Sequence, residues 1–164
     1  MAKTPTLTVT KTGLIPAPPA RVLAAFFDRK DLARWWQVVR CVAVTRPLGM
    51  YAIQWEPTDF KDEILGYLGG TFHGTIIDYD ATGTVFIADA YWQPPDGQPI
   101  GPMAVDVKCF PHGDGGSTTL TICQSGMGDG ARWERYFAVM DRGWASAIEE
   151  LQAYLYREAQ WAKK

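Results

Sequence analysis

Few residues of this chain combine a reactive type with a position that could use it. Asp89 is the first. It lies in Thr84–Trp92, a stretch rich in β-branched and aromatic residues that predicts a strand, and Thr71–Tyr79 predicts its partner across Asp80-Ala81-Thr82-Gly83. The favoured register puts Phe72, Gly74 and Ile76 on one face with Ile87, Asp89 and Tyr91. His73, Thr75 and Ile77 then share the other face with Phe86, Ala88, Ala90 and Trp92. The first face is read as inward because its apolar residues oppose one another. Asp89 is then a carboxylate in an apolar interior, where desolvation raises the pKa. Such a group suits a general acid or base, or an anchor for a polar ligand group. A one-residue slip would turn it to solvent instead. His73 is a weaker catalytic candidate, one of two histidines and without a triad-like partner; His112 adjoins a turn and reads as solvated.

Gln124 is the second polar candidate. Met103–Phe110 and Ser117–Ser125 predict a hairpin, and centring its turn on Asp114-Gly115 sets Cys109 opposite Leu120, Val107 opposite Ile122 and Val105 opposite Gln124. Met103, Val105, Val107, Cys109, Leu120, Ile122 and Gln124 then share the inner face, with Asp106, Lys108, Thr119, Thr121 and Cys123 outside. A buried amide without a partner costs roughly 1–3 kcal/mol. Gln124 therefore needs a neighbouring backbone group, a water or a ligand. Asp59, Asp62 and Glu63 have no histidine nearby and read as solvated, so no metal site is expected. Gly126–Gly130 precedes a helix but lacks the Gly-Lys-Ser/Thr signature of a phosphate loop, and reads as a turn. No cofactor is expected.

Aromatic residues make up 13% of the chain, with seven tryptophans. Such a surplus fills either a core or the wall of a pocket. Trp35, Tyr51, Trp55, Phe72, Tyr91, Trp133, Phe137 and Trp144 form the candidate wall, with Asp89, Met103 and Gln124 as further ligand-binding candidates. Phe137 also reads as core, whereas Trp133, near the start of its helix and the loops, is the better ligand contact.

The elements that must position these residues follow from the pattern of the chain. Thr6–Ile15 predicts a strand, stopped by Pro16-Ala17-Pro18-Pro19. Ala20–Phe27 and Lys30–Trp36 predict two short helices, the second with Asp28 as N-cap and Leu32 with Trp35 or Trp36 buried. Val38–Arg46 and Tyr51–Trp55 predict strands. Glu56–Gly70 reads as a long connection folded over something, and Gln93–Pro102 as a proline-rich loop. At the end, Trp133, Phe137, Met140, Trp144, Ile148, Leu151 and Leu155 recur at helical spacing, so one long helix buries this stripe against the strands. Gly143 beside Trp144 is expected to let the helix approach the sheet closely. A run of strands closed by a helix predicts an α+β fold, an antiparallel sheet covered on one face.

The 164 residues fit one domain, 1–164. Sixteen Lys and Arg against eighteen Asp and Glu leave a formal charge of −2, so no nucleic-acid or membrane-surface partner is expected. No apolar run approaches a membrane span. Three cysteines, with Cys109 and Cys123 on opposite faces, predict free thiols, and MAKTPTLTVT has no apolar h-region. A cytoplasmic protein, monomer or homodimer, is the expectation.

Several segments together resemble the START-like (SRPBCC, Bet v 1-like) superfamily, and within it the branch named after the activator of the heat-shock chaperone ATPase. They are Ile15–Val22, Asp28 through Trp35-Trp36, Gly49-Met50-Tyr51, Gly74–Asp78, Gln124-Ser125-Gly126, and Gly143-Trp144 with Ile148 and Leu151. The resemblance spans nearly the whole chain. It implies a helix-grip fold in the order β-α-α-β6-α, with six or seven strands around the last helix. It also implies a cavity that takes an apolar or amphipathic small molecule. The long Glu56–Gly69 connection and the proline-rich loop depart from the simplest pattern. The alternatives are an enzyme acting on a cavity-bound substrate through Asp89, with His73 or Gln124, and a chaperone-interacting module.

Overall fold

The structure is a computed structural model that describes residues 6–164; residues 1–5 of the expected domain lie outside the described part. The first strand, β1 (Leu7–Ile15), ends at the prolines, and Pro19 opens α1 (Pro19–Ala24), where its missing N–H costs nothing. The second helix, α2 (Arg29–Trp35), is capped as expected, with the Asp28 carboxylate accepting from the Asp31 N–H at 2.9 Å. The strands β2 (Arg40–Ala43) and β3 (Met50–Trp55) follow. Inside the long connection lies a two-strand hairpin, β4 (Lys61–Asp62) and β5 (Gly66–Tyr67), which the polar sequence does not announce. Then come β6 (Gly70–Asp80), β7 (Thr84–Gln93), β8 (Ile100–His112), β9 (Ser117–Met127) and α3 (Ala131–Ala162).

The main sheet has seven antiparallel strands in the order β1-β9-β8-β7-β6-β3-β2, with α3 against one face. This is the α+β helix-grip arrangement. The β8–β9 register is the one the turn predicts: Cys109 faces Leu120, Val107 faces Ile122 and Val105 faces Gln124. Cys109 is buried, and burial pushes its thiol up to about 12, so it stays protonated at neutral pH; Cys123 lies on the other face, and all three cysteines are free.

The β6–β7 hairpin departs from its predicted register. Ile76 and Ile87 do pair and point inward. Between Ile87 and Ala90, however, β7 carries an extra residue against both of its neighbours. This bulge, with Asp89 at φ 49°, reverses the alternation beyond it. Ala90 and Trp92 turn inward; Asp89 is exposed, and Tyr91 lies outside over Gly101. Asparagine and aspartate tolerate the left-handed region better than most residues. That tolerance accounts for an Asp at the bulge and removes any need to bury it.

On α3 the buried residues are Tyr136, Trp144, Ala147, Ile148, Leu151 and Leu155, while Trp133, Phe137 and Met140 are half-buried. The close approach to the sheet is made by Gly13 of β1, not by Gly143. A Cβ on Gly13 would lie 2.5 Å from Ile148 Cγ2, whereas one on Gly143 would meet nothing within 4 Å. Lys11 to Asp141 at 3.0 Å and Gln152 Nε2 to the Leu14 carbonyl at 3.0 Å fasten α3 along the same strand.

The three helices share one polar joint. Arg21 of α1 donates to both Asp31 oxygens, at 2.7 and 2.8 Å, and to Glu158 of α3. Tyr154 donates to Asp31 at 2.5 Å. Burial alone would raise the Asp31 pKa, but these hydrogen bonds hold it below the ordinary value.

Candidate functional site

The site lies where the first half of α3 separates from the sheet. Gly143 leaves space on the helix side, and residues 36–39 after α2, with β3, β6, β7 and the 56–69 connection, close the remaining sides. Two spaces result. The inner one is a small cavity of about 40 Å³, walled by apolar side chains including Phe26, Phe27, Tyr51, Ile53, Val85, Ile87, Val105 and Val107, with Gln124 also in its lining. It has room for only two or three waters and offers them no exposed polar surface. The outer one is an open cleft of about 520 Å³. Its wall includes Val39, Leu65, Leu68, Trp92, Tyr136, Val139 and Gly143, with Gln37, Glu56 and Thr58 as its polar residues. Trp36, Trp55, Phe72, Met140 and Trp144 line both spaces and so form the partition between them.

The partition is built from aromatic contacts. The Trp36 ring stacks on Trp35 at 4.8 Å and meets Trp55 at 5.1 Å and Trp144 at 5.3 Å. Trp55 Nε1 donates to the Trp36 carbonyl at 2.9 Å, and Trp35 Nε1 to the Ala25 carbonyl at 2.9 Å. The Trp35 and Trp55 indole N–H groups thus have fixed acceptors, so these two rings present apolar faces.

Gln124 has its partners within the protein. The Trp144 Nε1–H donates to Gln124 Oε1 at 2.7 Å; Gln124 Nε2 in turn donates to the Tyr136 hydroxyl at 2.9 Å and approaches Met103 Sδ at 3.2 Å. The amide is fully buried, and its partners are side chains rather than the neighbouring backbone. Burial also pushes the Tyr136 phenol up, so it is a neutral O–H at physiological pH. Tyr136 stacks on Trp92 at 5.6 Å, and Trp92 Nε1 donates to the Gly69 carbonyl at 2.8 Å.

Both loops that depart from the family pattern are latched to the first turns of α3. Arg135 reaches Asp62 at 2.6 Å, and Asp62 also accepts from the Ile64 and Leu65 N–H groups at 3.0 Å. Asp62 is 4% exposed. Burial works to raise its pKa, but these donors keep it below the ordinary value. Arg132 donates to the carbonyls of Gln98 and Pro99. Asp62 thus serves as an anchor for the connection, while Asp59 and Glu63 are exposed; among the described residues no group of three or more His, Cys, Asp or Glu side chains could hold a metal ion.

Of the residues singled out from sequence, the structure brings Tyr51, Trp55, Phe72, Gln124 and Trp144 to these two spaces. Trp35 stands behind Trp36 in the core, 1% exposed, and the cleft-facing ring is Trp36. Met103 is buried beneath Gln124, and Trp133 and Phe137 lie outside both walls. Asp89, Tyr91 and His73 are on the outer face of the sheet, where His73 and Tyr91 stack at 5.8 Å; none reaches the interior, which corrects the inward placement of Asp89 and Tyr91. Sequence reasoning missed Tyr136 and Trp92. Tyr136 sits three residues after Trp133 and eight before Trp144, so it belonged to the same helical face. Trp92 was hidden by the bulge.

A family model described as activator of Hsp90 ATPase homolog 1-like protein matches residues 16–156. The chain belongs to this family. Solved structures share the fold at low identity. Protein MLL2253 from Mesorhizobium loti superposes with a TM-score of 0.68 at 19% identity, covering 92% of this chain and 98% of its own. Protein SA2116 of Staphylococcus aureus, a protein of unknown function, gives 0.69 at 14% identity, covering 95% and 97%. The Aha1 dimer of Colwellia psychrerythraea gives 0.63 at 14%, covering 91% and 96%. No curated protein matches the chain. Among the described residues, no helix of this family member is long and apolar enough to cross a membrane.

Proposed function

We propose that this family member binds a hydrophobic or amphipathic small molecule in the cleft between α3, the 56–69 connection and the sheet. The observation that carries this is the cleft itself. Its volume of about 520 Å³ lies within the roughly 300–1,000 Å³ of ordinary small-molecule sites, and its wall is mostly aromatic and aliphatic. The inner cavity, at about 40 Å³, is too small for such a molecule. A ligand therefore lies against the outer side of Trp36, Trp55, Phe72, Met140 and Trp144. The rim residues Gln37, Glu56 and Thr58 suit an amphipathic ligand with its polar end toward solvent. An enzyme acting through Asp89 gains no support, because that carboxylate is on the opposite face of the sheet.

Native mass spectrometry of freshly purified protein, with thermal melts in the presence of apolar probes, tests this reading. A probe at a hundred times its Kd stabilises by about 2.7 kcal/mol, which raises Tm by roughly 5–10 °C for a chain of this size. No co-purified molecule, together with no probe that shifts Tm, would overturn the reading.

A further inference from the structure

The hydrogen bonds behind the cleft have a forced direction. An indole N–H can only donate, so the group 2.7 Å from Trp144 Nε1 must be the Gln124 carbonyl oxygen. The opposite amide orientation would set two donors face to face. With Oε1 fixed there, Nε2 must point to Tyr136 and Met103, and the two protons of Nε2 are used on the phenol oxygen and on sulfur. The Tyr136 oxygen is thus an acceptor in this relay, and its own proton is left over. None of the hydrogen bonds of the described residues gives that proton an acceptor. Tyr136 is 2% exposed and forms part of the cleft wall. A buried donor left unmade costs roughly 1–3 kcal/mol.

We infer that the Trp144–Gln124–Tyr136 relay is a directed hydrogen-bond donor for the cleft, and that its ligand is an apolar molecule carrying a hydrogen-bond acceptor, such as a ketone, quinone, ester or lactone carbonyl, at its buried end. This rests on the binding reading above and narrows it. The relay sets polarity rather than charge: the phenol stays neutral and supplies a proton to be shared, so an acceptor is favoured and a second donor is rejected. Tyr136 is the residue that contacts the ligand; Gln124 and Trp144 are positioning residues that leave its proton free.

Fluorene and 9-fluorenone test the inference, since they share a shape and differ in one carbonyl. Equilibrium dialysis gives the affinity of each for wild type and Tyr136→Phe. The variant should weaken fluorenone roughly three- to tenfold, the worth of one hydrogen bond, and leave fluorene within about twofold. An independent readout needs no variant: the carbonyl stretch of fluorenone bound to wild type should fall below its frequency in hexane. Equal effects of Tyr136→Phe on both compounds, or an unshifted carbonyl stretch, would overturn the inference while leaving the binding reading intact. Binding of neither compound to wild type would overturn both.

Discussion

Gly143 offers a test in which stability and binding move in opposite directions. It sits inside α3, is exposed, and a Cβ built on it meets nothing within 4 Å. Glycine in a helix interior costs about 0.5–1 kcal/mol relative to alanine. With no clash to offset that gain, Gly143→Ala should stabilise the protein by this amount, a rise of roughly 1–4 °C in Tm. Leucine has nearly the helix propensity of alanine, so Gly143→Leu keeps most of the gain. Its side chain, however, enters the cleft that Gly143 lines. If it denies the ligand the burial of about two methylene groups, the loss is about 1.6 kcal/mol, more than tenfold in affinity. Circular-dichroism melts and equilibrium dialysis with fluorene read the two effects separately. A lowered Tm for Gly143→Ala would mean that the helix needs glycine for a close approach after all. Unchanged fluorene affinity in Gly143→Leu would place the binding site elsewhere.

Three further outcomes follow from the same geometry. Gly13→Ala should cost about 1–3 kcal/mol in urea unfolding, because its Cβ meets Ile148 Cγ2 at 2.5 Å, and Ile148→Ala should reduce that penalty in a double-mutant cycle; additive effects would refute the contact. Asp62 and Asp31 have folded pKa values below the unfolded ones, so the stability they contribute is present above about pH 4 and lost as pH falls through the folded values. Asp62→Asn should flatten the acid limb of stability measured between neutral pH and pH 2 and speed proteolysis within 56–69; a limb identical to wild type would refute it. Asp89→Asn should leave both Tm and probe affinity within about 0.5 kcal/mol, as expected for an exposed side chain, and a large loss of either would restore the inward register.

The parts of this fold that were legible in the sequence are those set by local chemistry. Asp28 caps α2, Pro19 opens α1, and the two-fold alternation from Met103 to Gln124 places β8 against β9 in the observed register. The helical stripe from Trp144 to Leu155 is buried as its spacing predicts. What failed depended on an inserted residue or on distant partners. Simple alternation carried through β7 put Asp89 inside, because a bulge changes the count without changing the composition. Gly143 looked like a packing glycine, but the strand that α3 crosses closely was β1, which supplies Gly13. Asp62 read as solvated because its partner, Arg135, is 73 residues away. Gln124 was legible as a buried amide in need of partners; that the partners would be Trp144 and Tyr136 depended on how α3 is seated.

The partition between cavity and cleft also has an optical consequence. Trp36 lies parallel to Trp35, at 9° and 4.8 Å, and within 5.3 Å of Trp55 and Trp144. Indoles this close share their excitation, so ultraviolet light absorbed by one is emitted by the set, and the stacked pair gives a coupled near-ultraviolet dichroism band. Three of the four rings form the cleft wall. A molecule entering it touches the emitting rings themselves, so occupancy of the site is written in the protein's own spectrum without any added label.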